Sequence, residues 1–266
     1  MHPRVSLQQI PFLDRPVGDF LAFCADSGFA NAVLATALLE GEALATVQGV
    51  TQSRGLRIAA LTQVFCRDLS QAGDEATSTL RAGIATAQAV GAPAIYMITG
   101  GRGAYGWEEA AERFATLLEP CRQPARDAGV KLLIENILPL YADMHIAHGL
   151  EDTITLATNA GAGLCIELFH CWTEPGIEAR LRRAAPLAGL VQVSDYVLGD
   201  RTLPARAVPG DGAIPIEAMI AALLEGGYNG VFDLELVGPR IAAEGTETAA
   251  VRAGEYVSEL LARLGA

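Results

Sequence analysis

Eight short apolar runs alternate with helix-length amphipathic segments along the 266 residues, and this alternation limits the fold more than any other feature. The runs are VSLQQI (5–10), NAVLAT (31–36), RIAALTQVF (57–65), AIYMITG (94–100), KLLIEN (131–136), LCIEL (164–168), LVQVS (190–194) and GVFDLEL (230–236). Between them the pattern predicts helices over about 17–27, 42–53, 74–90, 107–127, 150–160 and 176–185, another in PIEAMIAALLEGG, and a last one over about 246–264. Glycines stand where several of these helices should end, as at Gly129, Gly161 and Gly226-Gly227. Pro120 and Pro124 should kink or break the fourth helix. Strand and helix in strict alternation is the pattern of parallel βα units joined by right-handed crossovers. Eight such units close most simply into an α/β fold of one (β/α)8 TIM-barrel domain over residues 1–266, a length close to the roughly 250 residues typical of that barrel. A doubly wound open sheet is the competing arrangement. The Gly-x-Gly-x-x-Gly that a dinucleotide fold needs after its first strand is absent.

In such a barrel the chemistry sits at the C-terminal ends of the strands. Four consecutive runs end on a polar side chain at that place: Glu135 in KLLIEN, Glu167 in GLCIELFH, Gln192 in GLVQVSD and Glu235 in GVFDLEL. A lone Glu at a strand end is usually an ordinary rim residue, but four in register converge on one mouth. Buried carboxylates repel, and a divalent cation between them lets them stay ionised. The set holds only oxygen donors, which points to one divalent metal, Mn2+ or Mg2+ rather than Zn2+.

Around these four, His170 lies just beyond the Glu167 strand end, where loop residues face the pocket, and is read as a substrate contact rather than a packed rim histidine. His145 and His148 lie in the loop after the fifth run and read as solvated. Asp195 either orients a ligand or caps the following turn. Arg206, in the long loop before the PGDG turn (209–212), could hold a substrate oxygen, with Arg201 as the competitor. Loop aromatics, Trp107 and Trp172 foremost, offer faces against which a small ring can stack. The GGRG run (100–103) is a weak candidate for an anion-binding nest.

Composition excludes several classes. With a formal charge of −12 and no basic patch, the chain should repel nucleic acid. Five cysteines without a CxxC spacing indicate neither a disulfide framework nor a zinc knuckle. No apolar run approaches the length needed to span a bilayer, and no signal-like segment opens the chain, so a cytoplasmic protein is expected, with a homo-oligomer left open.

At these residues the sequence resembles the xylose isomerase-like TIM-barrel superfamily, which includes sugar epimerases, hydroxypyruvate isomerases, inosose dehydratases and abasic-site endonucleases. LLIEN is similar to the family's strand ending in a metal-binding Glu, CIELFHCW to its Asp-x-x-His strand end, and VQVSD to its His-x-x-Asp. PGDGAIPIEAMIAALLEGGYNGVFDLEL is similar to its Gly-rich turn, helix and final metal-binding Glu. Glu167 stands where the family usually has Asp, and Gln192 where it usually has a metal-binding His. Glu167 is one methylene longer than Asp, so either the ion shifts toward the pocket axis or the side chain folds back.

The resemblance implies that Glu135 and Glu235 are both ligands and the acid/base pair, and that His170 touches substrate. It implies a metal-dependent isomerase or epimerase of a sugar or keto-polyol, acting by proton abstraction next to a carbonyl through an enediolate. A lyase or dehydratase on a keto-sugar, keto-inositol or keto-glycoside is the close alternative. A non-catalytic binding barrel and an abasic-site endonuclease are further rivals, the latter disfavoured by acidic charge and scarce histidines.

Overall fold

The computed structural model describes residues 1–266 and forms a closed barrel of eight parallel strands in sequential order. In chain order the elements are β1 (Val5–Gln8), α1 (Val17–Asp26), β2 (Asn31–Ala35), α2 (Glu42–Arg54), β3 (Arg57–Val64), α3 (Asp74–Val90), β4 (Ala94–Ile98), α4 (Trp107–Asp127) and β5 (Lys131–Glu135). They continue as α5 (Leu150–Ala160), β6 (Gly163–Glu167), α6 (Leu168–Cys171), α7 (Ile177–Ala184), β7 (Ala188–Val193), α8 (Ile216–Glu225), β8 (Phe232–Leu234), α9 (Pro239–Glu244) and α10 (Thr246–Arg263). Pairing of β1 with β8 closes the ring. No helix is long and apolar enough to cross a membrane.

The core has two layers, and their division follows from the two-residue period of a strand. Most buried apolar side chains lie between strands and helices in one large cluster. A separate cluster of seven, Val33, Ala60, Ala94, Tyr96, Leu133, Cys165 and Leu190, fills the barrel interior. Two residues beyond Leu133, Cys165 and Leu190 stand Glu135, Glu167 and Gln192, so the inward parity that packs the interior also delivers these polar groups to its upper end. Glu167 and Gln192 are direct cross-strand partners.

α4 runs unbroken through Pro120 and Pro124, against the expected break. Pro124 has no N–H for the Pro120 carbonyl, and Arg81 of α3 supplies a donor instead, with Nη2 2.9 Å from that oxygen.

Candidate active site

A cavity of about 280 Å³ opens at the C-terminal mouth of the barrel, with Glu135, Glu235, His170, Arg206 and Tyr96 among its walls. The remaining walls are largely apolar, including Ile10, Ile98, Ile137 and Val237. Glu135 and Glu235 end strands three places apart in a ring of eight, so they approach the cavity from different sides.

Arg206 is the organising cation. It is 4% exposed, and its Nη1 donates to Glu167 Oε2 at 2.6 Å and to Ser194 Oγ at 2.9 Å. Its Nη2 lies 3.3 Å from Glu235 Oε1 and 3.4 Å from His170 Nε2. The guanidinium also stacks 4.8 Å from the Phe169 ring centroid. The loop that carries it is built around Asp195. That carboxylate accepts the backbone N–H groups of Tyr196, Gly210, Gly212 and Ile214, while the Asp195 and Ala207 backbones bridge. A Cβ on Gly212 would fall 2.3 Å from Asp195 Oδ1, so only glycine lets the turn close this tightly around the carboxylate. Asp195 therefore acts as the turn cap and reaches the site through the backbone of the Arg206 loop.

Glu167 curls back on itself, as its extra methylene permits. Its Oε1 accepts from Phe169 N at 2.9 Å, which opens α6 and turns His170 back to the mouth. Asn136, with its side chain off the inward row, clasps β5 to β6 by accepting from Glu167 N at 2.9 Å and donating to Glu167 O at 3.0 Å. His145 is buried rather than solvated. Its Nδ1 accepts from Thr99 N at 3.0 Å, its Nε2 bonds the Glu135 carbonyl at 2.7 Å, and burial pushes its pKa down to about 3. It braces the end of β5 as a neutral ring.

Below the mouth lies a polar layer. Gln192 Nε2 donates to Glu235 Oε2 at 2.7 Å, and its Oε1 accepts from Cys165 Sγ at 3.1 Å. The Tyr96 hydroxyl oxygen accepts from Gln8 Nε2 at 2.6 Å and lies 3.4 Å from Gln192 Nε2, which leaves its own proton free to donate.

Burial and then the neighbouring charges of Glu235 and Glu167 push the Glu135 carboxyl well above the ordinary carboxylate range. Burial raises Glu167 to about 7, with Arg206 pulling the other way. Burial, then Arg206, holds His170 well below the usual histidine range, so its ring is neutral. For Arg206, burial alone would lower the pKa, but Glu167 and Glu235 reverse it and the cation is permanent.

A divalent cation fits this cluster. Three carboxylates (Glu135, Glu167, Glu235) face one guanidinium, so full ionisation leaves two negative charges to balance. Glu135, Glu167 and His170 each bring one ligand atom within 4.8 Å of the others, and His170 Nδ1 is buried without a partner. Of the four expected oxygen donors Glu135 and Glu235 line the cavity, whereas Glu167 and Gln192 are fully buried beside it, and Gln192 presents its donor to Glu235 and its amide oxygen to Cys165. Reversing the amide would set an acceptor against Glu235. His170, not among the expected ligands, is the third member of the three-atom group.

Trp107 lies outside the mouth: at the start of α4, its indole nitrogen donates to the Ile146 carbonyl at 2.9 Å. Trp172 lines a second, adjoining cavity. Arg201 bonds the Tyr196 hydroxyl at 3.0 Å on the rim of that second cavity and does not reach the carboxylates. In the GGRG turn Gly100 N donates to Met144 O and Gly101 N to Arg67 O, so neither of these N–H groups is free for an anion. Tyr96 and Ser194 are site residues that sequence patterning passes over, since each reads locally as an ordinary strand residue.

The chain belongs to the xylose isomerase-like TIM barrel family, whose model matches residues 21–257. No curated protein matches the sequence. Among solved structures, the fold is similar to a xylose isomerase domain protein from Alicyclobacillus acidocaldarius, with a TM-score of 0.82, 20% identity and 100% of each chain covered. It is similar to the IolI protein with a bound zinc atom, with a TM-score of 0.82, 19% identity, and 98% of this chain and 99% of that one covered. It is also similar to a D-psicose 3-epimerase in the presence of D-fructose, with a TM-score of 0.80, 15% identity, and 99% and 100% covered.

Proposed function

We propose that the protein is an isomerase or epimerase that moves a proton at the carbon next to a carbonyl in a small keto-polyol, with Glu135 and Glu235 as the acid/base pair. The observation that carries this is two carboxyl groups, from the end of β5 and just beyond β8, on the walls of one largely apolar cavity, with a buried, permanently charged Arg206 beside them. Glu235 accepts hydrogen bonds from Gln192 and Arg206 and takes the substrate proton. Glu135, whose pKa burial raises, passes one back from the other side, and it is its ionised carboxylate, not the protonated acid, that would hold an ion. Arg206 and the free Tyr96 hydroxyl proton face the cavity where negative charge develops on the carbonyl oxygen. A divalent ion held by Glu135, Glu167 and His170, with Glu235 beside them, would polarise that carbonyl as a Lewis acid. Its carboxylate oxygens favour Mn2+ or Mg2+, and the imidazole of His170 narrows the margin over Zn2+.

Support for a sugar-like substrate comes from the epimerase among the similar folds. A lyase on a keto-glycoside is the second reading, favoured by the adjoining cavity that could receive a leaving group. The test is incubation with a panel of ketoses and keto-glycosides in D2O, read by NMR and mass spectrometry. A product heavier only by the deuterium gained supports isomerisation, and loss of water or an aglycone supports the lyase. Glu135→Gln and Glu235→Gln should each lower the rate by about 10²–10⁴-fold while leaving the fold intact; full exchange in either variant removes that residue from the mechanism.

A further inference from the structure

The mouth of the barrel has two rooms, and the second is not accounted for by proton transfer. A cavity of about 360 Å³ adjoins the first, and the two share four wall residues, Tyr141, His170, Pro204 and Arg206. Small-molecule sites commonly occupy roughly 300–1,000 Å³. The first room, at about 280 Å³, falls just short of that range alone, and the pair falls within it.

Aromatic rings line the second room. Phe169, Tyr196 and Trp172 follow one another at centroid separations of 6.0 Å and 6.1 Å. The polar edge of Tyr196 is already engaged, since its hydroxyl donates to the Asp200 carbonyl at 2.7 Å and accepts from Arg201 at 3.0 Å. What Tyr196 has left to offer is ring face, beside Trp172, while Thr173, Asp200, Arg201 and Thr202 supply polar walls. At the outer rim Leu140 is 71% exposed and Leu203 56% exposed, an apolar border that water wets unfavourably.

We propose that this second room is a subsite for an apolar ring attached to the substrate, so that the ligand is a keto-polyol head bearing an aromatic or similarly flat substituent. The head lies among Glu135, Glu235 and Arg206, and the ring stacks toward Trp172 and Tyr196. The assignment rests on the first room being the reaction site, and its test needs no turnover. The shared walls favour this occupant: a substituent on a head held by His170 and Arg206 starts beside the second room.

Binding to the metal-loaded protein is measured calorimetrically with two probes that carry the keto head, phenyl 3-keto-β-D-glucopyranoside and methyl 3-keto-β-D-glucopyranoside. The phenyl compound should bind at least about tenfold more tightly, as expected for one stacked ring. Trp172→Ala should remove most of that ratio. Leu140→Asp and Leu203→Asp, at exposed positions that do not endanger folding, should each lower it. Equal affinity for the two probes, including the case in which neither binds, overturns the proposal, as does an undiminished ratio in all three variants. Loss of deuterium exchange with an intact phenyl preference would instead reject the reaction and keep the subsite.

Discussion

Replacing Arg206 with Met tests the charge balance of the site directly. Met keeps much of the apolar stem and its contact with Phe169 but removes the only cation bonded to Glu167 and Glu235. Removing one partner of a buried ion pair typically costs about 3–5 kcal/mol. At roughly 2–4 °C per kcal/mol for a chain of this size, melting of the chelated protein at pH 8 should fall by about 6–20 °C. The deficit should shrink at pH 5. The folded-state pKa of Glu167 is about 7 against an ordinary 4.5, so its contribution to stability is complete below about 4.5 and is lost as pH rises through about 7. Without Arg206 its pKa moves higher still, which leaves a neutral carboxyl at pH 5 that needs no counter-ion. Scanning calorimetry at the two pH values after exhaustive chelation is the assay. A melting temperature within a degree of the parent at both, or a larger deficit at pH 5, would refute the electrostatic account of this arginine.

The same linkage predicts that Glu135, raised by burial, destabilises the chelated protein as pH rises from about 5 to 8, while the buried neutral His145 and His170 act in the opposite sense; the melting temperature of Glu135→Gln should therefore gain on the parent over that interval, and a gap that moves the other way contradicts it. Mn2+ at about a hundred times its Kd should restore roughly 2.7 kcal/mol at pH 8 and much less at pH 5, where protons compete for the carboxylates; equal shifts at both pH values would place the ion elsewhere. Tyr96→Phe leaves Gln8 Nε2 without its 2.6 Å acceptor, so denaturant titration should show a cost of about 1–3 kcal/mol, and turnover should drop roughly a hundredfold if the hydroxyl faces the developing charge. Asp195→Ala strips four backbone N–H groups of their acceptor, which should cost about 3 kcal/mol or more and raise KM through the misplaced Arg206 loop; an unchanged KM would separate the turn from the site.

Much of the fold was written locally. The helices expected over 74–90 and 150–160 match α3 and α5, because each stops at a glycine, Gly91 or Gly161, that adopts the left-handed conformation at a helix end. α6 and α9 escaped because four and six residues are too few to display a 3.6-residue period. The continuity of α4 was hidden for a different reason: the donor that rescues its freed carbonyl belongs to Arg81 in another helix. In the site, the strand-end carboxylates were legible because strand parity alone carries them inward. Asn136, next to Glu135, has a role that becomes visible only when β6 lies beside β5.

The two departures from the family pattern have one structural explanation in common. A neutral His at position 192 could offer a lone pair to the pocket, whereas Gln192, with its amide oxygen held by Cys165, offers a donor and satisfies one oxygen of Glu235. Glu167, longer than Asp, folds back so that one oxygen caps α6 while the other reaches Arg206. Arg206 is thereby held between a carboxylate on β6 and one just beyond β8, and part of the charge that the cluster needs is fixed in the chain. Glu135 has no such donor, and its strongly raised pKa marks it as the carboxyl that must take either a proton or a metal ion. A loaded site and a chelated one should therefore differ most at Glu135, the carboxyl proposed above to carry the returning proton.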